Sequence, residues 1–145
     1  MDGDPTSEDV LYTISDWYDG PRAGATEFVG RPYFYRSIYL DSDVWDPNES
    51  RFELTPLTED ALSWELETIR IFERWDSARK DGRIVWNPDD EAAFGALPED
   101  MQRYRDLNEK LKTYLLKTRP KLLVHGSFEG GPKIVRWKLI EKLPS

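Results

Sequence analysis

Residues 23–40 read AGATEFVGRPYFYRSIYL, two runs rich in aromatic and β-branched side chains hinged at Gly30-Arg31. As strands over 23–29 and 32–40 they form a hairpin, and glycine in the first place of a two-residue connection suits a type II′ turn. Pairing symmetric about that turn sets Phe28 opposite Tyr33 and Glu27 opposite Phe34. Alternation then puts Phe34, Ile38 and Leu40 on one face with Arg36, expected to be core. Tyr33, Tyr35 and Tyr39 share the other face with Ser37, expected to be an exposed row of phenols.

Upstream, residues 10–15 read as a strand entering the loop Trp17-Tyr18-Asp19-Gly20-Pro21-Arg22-Ala23-Gly24. Downstream, residues 41–50 form a polar loop and 52–55 a short fourth strand. From Thr58 to Lys80 there is neither proline nor glycine. Thr58 is suited to cap a helix there, and Glu59 and Asp60 favour its positive end. At 100° per residue Leu62, Leu66, Ile69 and Phe72 make the expected core stripe, while Trp64, Ile71 and Trp75 make a second one on nearly the opposite side. Residues 81–97 are irregular. Pro98 fits the first position of a second helix that ends before Pro120, with Met101, Tyr104, Leu107, Leu111, Tyr114 and Leu115 as its apolar stripe. Two strands close the chain, 121–128 and 133–143, joined through Glu129-Gly130-Gly131-Pro132. In the last, Val135, Trp137 and Leu139 are expected inside, Arg136 and Lys138 outside.

Strand runs separated from a helix run indicate α+β. The expectation is a strongly bent antiparallel sheet or small partly open β-barrel of about six strands, with two helices inserted between the fourth and fifth. A chain of 145 residues fits one domain, here 10–145, behind a mobile acidic tail at 1–9 that carries Asp2, Asp4, Glu8 and Asp9.

The chain has 33% charged residues and a mean hydropathy of -0.69, and its longest apolar runs are far short of the roughly 20 residues that span a bilayer. Absence of cysteine removes disulfides, thiolate nucleophiles and Cys-based metal sites, so a reducing cytoplasm is the expected setting. The net charge of -8 is unevenly spread. Residues 1–60 hold fourteen acids against four bases, residues 101–145 four acids against eleven bases.

No catalytic set is readable. His125, the single histidine, lies in Val124-His125-Gly126-Ser127 without a nucleophile elbow, and fits a structural or surface role. Asp41, Asp43, Asp46 and Glu49 lack the glycine and glutamate of a calcium loop, and Asp89, Asp90 and Glu91 read as a solvated acidic loop. Phosphate-cradling glycine motifs are absent, and no cofactor or metal is expected. Asp16 and Asp19 bracket Arg22 in the first loop, where they can hold its guanidinium or leave it for an anion.

The stretch Tyr18-Asp19-Gly20-Pro21-Arg22-x-Gly24 followed by Phe28, Gly30, Pro32 and Phe34 resembles the opening of a group of small bacterial proteins with no established function. The resemblance covers about the first 40 residues and departs at Tyr33, where such proteins carry histidine. It implies a bacterial or phage setting and no particular activity.

The leading functional expectation is a non-enzymatic protein-binding module: an adaptor, an inhibitor or immunity-type protein, or a small subunit of a bacterial assembly. Its contacts would be Trp17, Tyr18, Arg22, Tyr33, Tyr35, Tyr39, Trp64 and Trp75, since interface cores favour Trp, Tyr and Arg. The alternative is a nucleic-acid or anion-binding module using Lys112, Lys117, Lys121, Arg136 and Lys138. A small hydrolase built on acids or His125 comes third.

Overall fold

The computed structural model describes residues 8–17, 21–38, 51–85, 87–90, 93–128 and 133–143. Its elements are β1 (Asp9–Val10), β2 (Asp16–Trp17), β3 (Pro21–Phe28), β4 (Arg31–Ile38), β5 (Arg51–Pro56), α1 (Glu59–Lys80), α2 (Met101–Lys117), β6 (Leu122–Ser127) and β7 (Ile134–Lys142). The strands form one antiparallel sheet in the order β1-β7-β6-β5-β4-β3-β2.

β1 and β2 are two ends of one amino-terminal segment, and that segment closes the sheet on itself. At one end Asp9 and Val10 pair with Val135 and Ile134 of β7. In the middle Leu11 bridges Thr26 of β3, Thr13 N donates to Ala25 O and Ser15 N to Ala23 O. Counting that segment once gives a six-stranded, nearly closed barrel with both helices between its fourth and fifth strands. The continuous first strand expected over 10–15 is instead interrupted, because the segment must leave β7 and cross to β3. Gly24 permits the crossing. At its φ of 153° an added Cβ would sit 2.3 Å from the Thr13 carbonyl oxygen.

The hairpin is present, but its register is shifted by two residues. Phe28 pairs with Arg31 and Ala25 with Phe34, so the turn residues are Val29 and Gly30. Both have positive φ, 52° and 73°, as a type I′ turn requires. Phe28 and Tyr33 are therefore diagonal neighbours, their rings edge-on at 6.0 Å.

The assignment of β4's two faces is also corrected. Tyr35 is fully buried inside the barrel with Phe52, Trp137, Leu11, Leu54, Val124 and Val135, and Tyr33 is half-buried against them. Phe34, on the outer face, packs under the helices with Ala25, Leu57, Ala61 and Leu111. Both faces are covered because the sheet curls around one core and carries a helical layer on its outside. The interior polar groups are bonded within it: Tyr35 Oη donates to Thr13 O at 3.0 Å and Trp137 Nε1 to Thr26 Oγ1 at 2.9 Å.

Thr58 caps α1 as expected, its hydroxyl accepting from Ala61 N at 3.1 Å. The buried stripe of α1 is Ala61, Glu65, Thr68, Ile71, Trp75 and Ala78. The second stripe, with Ile71 and Trp75, thus supplies the contact, and Leu62, Leu66, Ile69 and Phe72 are half-buried. α2 begins at Met101, three residues later than expected, after a turn over 98–100. Its Tyr114 hydroxyl donates to Pro56 O at 2.6 Å and accepts from Thr58 N at 3.2 Å, which fastens α2 to the start of α1. On β7, Val135 and Trp137 are buried but Leu139 is half exposed. A register shift between Leu123 and Val124 breaks the alternation there, while β7 stays paired with β6 through Lys142.

Candidate functional site

Among the described residues, the side chains singled out in the sequence for partner binding lie wholly or partly inside the fold. Tyr35 and Trp75 are buried, as is Arg22, and Tyr33 and Trp64 are half-buried. Trp75 packs against Phe94 at 4.9 Å and Phe72 at 5.7 Å. Trp64 lies edge-on to Tyr114 at 6.4 Å, with Lys110 Nζ 5.8 Å from its ring. For the four aromatic residues the cause is shared: barrel interior and helix layer together absorb more rings than a single-sided sheet could. Tyr18, Tyr39, Asp19 and the acidic loop from Asp41 to Glu49 lie outside the described residues, as do the side chains of Asp16 and Trp17.

A cleft of about 610 Å³ runs between α2 and the outer face of β4 and β5. The strand register builds its floor. Phe34 pairs with Thr55 and Arg36 with Glu53, placing those four side chains in two outward rows, and Lys121 continues the first row just before β6. Helical spacing builds its wall from Asn108, Leu111, Lys112, Leu115 and Leu116. Arg119 and Leu143 close the end. Leu116, 65% exposed, forms an apolar lip.

Four cations, Arg36, Lys112, Arg119 and Lys121, and one carboxylate, Glu53, line this cleft. Their duties differ. Lys121 is buried, and its ammonium donates to Thr55 Oγ1 at 2.7 Å and Leu115 O at 2.6 Å, with Glu53 at 3.7 Å. Burial lowers its pKa, opposed by Glu53. It ties the end of α2 to the sheet. Arg119 donates through Nη1 to Leu116 O and Thr118 O at the helix's carbonyl end. Arg36 pairs with Glu53 at 3.2 Å. Lys112 extends from the middle of α2 with no ion-pair partner among the described residues, and Arg119 likewise has no carboxylate partner there.

The basic residues of the carboxyl-terminal third therefore do not share one face. Lys112 and Lys121 line the cleft, Lys117 is exposed on the last turn of α2, Arg136 pairs with Glu8 at 3.0 Å, and Lys138 stands on β7 beside His125. The cleft was hidden in the sequence because β4, β5, α2 and the chain end each contribute a part. Of its lining, sequence reasoning singles out Lys112 and Lys121 as basic and Leu111 and Leu115 as apolar, without bringing them together.

Elsewhere the chemistry is sparse. Among the described residues no group of three or more His, Asp or Glu side chains is placed to hold a metal ion, and no helix is long and apolar enough to cross a membrane. Glu65 is a buried carboxyl on α1 whose Oε2 has no hydrogen-bond partner among the described residues, and burial raises its pKa to about 7. No family model, curated protein or solved structure matches the chain.

Proposed function

We propose that the protein is a non-enzymatic binding module whose working face is the cleft between α2 and the β4–β5 surface, and that it takes an acidic, partly apolar segment of another protein. The observation that carries this reading is the reversal of charge: four cations against one carboxylate in the cleft of a chain whose net charge is -8. Apolar lining from Phe34, Leu111, Leu115 and Leu143 offers anchoring contacts among those charges. The cations are spread from Lys112 in mid-helix to Arg119 beyond its end and Arg36 on the sheet. A single carboxylate head would need them gathered at one point, whereas an acidic segment meets them in succession. From Asn108 to Leu116 the wall is about 12 Å long at helical rise, the length of a short peptide. Charge complementarity of this kind favours rapid, salt-sensitive association.

Selection from a random peptide library tests the reading. The expected binders combine Asp or Glu with Leu, Ile or Phe, and lose binding when Lys112→Glu or Leu116→Asp is introduced. Selected peptides that are basic, or that bind both variants as well as the parent, contradict it.

A further inference from the structure

Three basic side chains face one another across three adjacent strands. Arg51 of β5 is the direct partner of His125 of β6, and His125 is the direct partner of Lys138 of β7. The residues next to them, Phe52, Val124 and Trp137, are buried in the barrel, so alternation puts all three basic groups on the outer face. Neighbouring strands lie about 4.8 Å apart, so the row is roughly 10 Å from end to end and the outer two side chains can bend to meet over the middle one.

Other cations of this sheet face are already engaged: Arg36 with Glu53, Arg136 with Glu8, and Lys121 with Thr55 and Leu115. Arg51, His125 and Lys138 have no ion-pair or side-chain hydrogen-bond partner among the described residues. The residue paired with Arg51 on its far side is Ile38. Basic groups set directly opposite one another weaken a sheet, and among the described residues no carboxylate forms an ion pair with them. Arg51 and His125 are also half-buried, so their side chains are held against the sheet rather than dispersed in water.

We propose that Arg51, His125 and Lys138 form a binding site for the dianionic phosphate group of a phosphomonoester. Guanidinium offers a fork for two oxygens, ammonium a point charge, and imidazole a further N–H donor. This site stands apart from the cleft, its Arg51 two residues before Glu53 at the start of β5, and it holds whether or not the cleft binds a peptide.

The test is titration of the full chain with inorganic phosphate and with a phosphoserine peptide at fixed ionic strength, followed by amide NMR and by the melting temperature, with chloride as the control. Both probes are expected to shift the amides around Arg51, His125 and Lys138 saturably and to raise the melting temperature. Lys138→Gln and Arg51→Gln should each weaken binding roughly tenfold or more while keeping the parent's circular dichroism. Tighter binding of the phosphopeptide than of inorganic phosphate points to a modified protein as the source. Equal affinity points to a free phosphate group. Shifts that appear equally with chloride, fail to saturate, or persist unchanged in Lys138→Gln overturn the proposal.

Discussion

Trp137 Nε1 donates to Thr26 Oγ1 at 2.9 Å, joining the last strand to the third across the barrel interior and between positions 111 residues apart. The same hydroxyl donates to Val10 O at 3.0 Å, so one buried oxygen holds three strands of the closure. Replacing Thr26 by Val keeps the shape and leaves the indole N–H and the carbonyl without partners. Destabilisation of about 2 kcal/mol is expected, and Thr26→Ser should recover most of it. Urea denaturation checks this, with a lower midpoint and an unchanged slope as the expected result.

Glu65 makes stability depend on pH. Its pKa is 4.5 in the ordinary state and about 7 when folded, because burial disfavours the charge. Below 4.5 the group is protonated folded or unfolded and imposes no charge-burial cost. Between 4.5 and 7 the unfolded chain ionises first, and stability falls as pH rises. Above 7 the full cost is present, on the order of 3 kcal/mol. Asp9, raised to about 6 by burial and by Glu27, gives a slope of the same sign, so the informative quantity is the difference from Glu65→Gln. That variant should equal the parent near pH 4.5 and exceed it near pH 8, as read by denaturation at both values.

Val29 occupies the left-handed region at φ 52° with 58% of its surface exposed, an unfavourable place for a β-branched side chain. Val29→Asn relieves the turn at no loss of packing. A gain of about 1 kcal/mol is expected in thermal or chemical denaturation.

That same residue explains where sequence reading stopped. The hairpin at 23–40 was legible from its aromatic alternation and Gly30, but valine is a poor signal for a type I′ turn, and the turn lies one residue earlier than expected, at Val29-Gly30. Thr58 and Lys80 were legible as helix limits because capping and charge act locally. Tyr35 was not, because alternation separates two faces without saying which is inside, and here both are covered. Glu65 was hidden for a related reason: a carboxyl in the buried stripe breaks the apolar pattern that betrays the contact face. Lys121 was legible as basic, while its bonds to Thr55 and Leu115 arise only when α2 docks.

Lys121→Met separates the structural role of that lysine from recognition. It leaves Thr55 Oγ1 and Leu115 O without their donor, and a loss of about 2 kcal/mol in stability is expected. Lys112→Gln, by contrast, should leave stability within about 0.5 kcal/mol of the parent, since it removes an exposed charge with no partner among the described residues. Parallel denaturation curves check the pair.

The most direct test of cleft recognition is amide NMR of the full chain titrated with an acidic, leucine-containing peptide from the library selection. The account predicts saturable shifts confined to Phe34, Arg36, Glu53, Thr55 and the α2 residues from Asn108 to Leu116, lost in Lys112→Glu. Shifts that map instead to the surface around Trp64 or Trp75, or that survive the charge reversal, would contradict it.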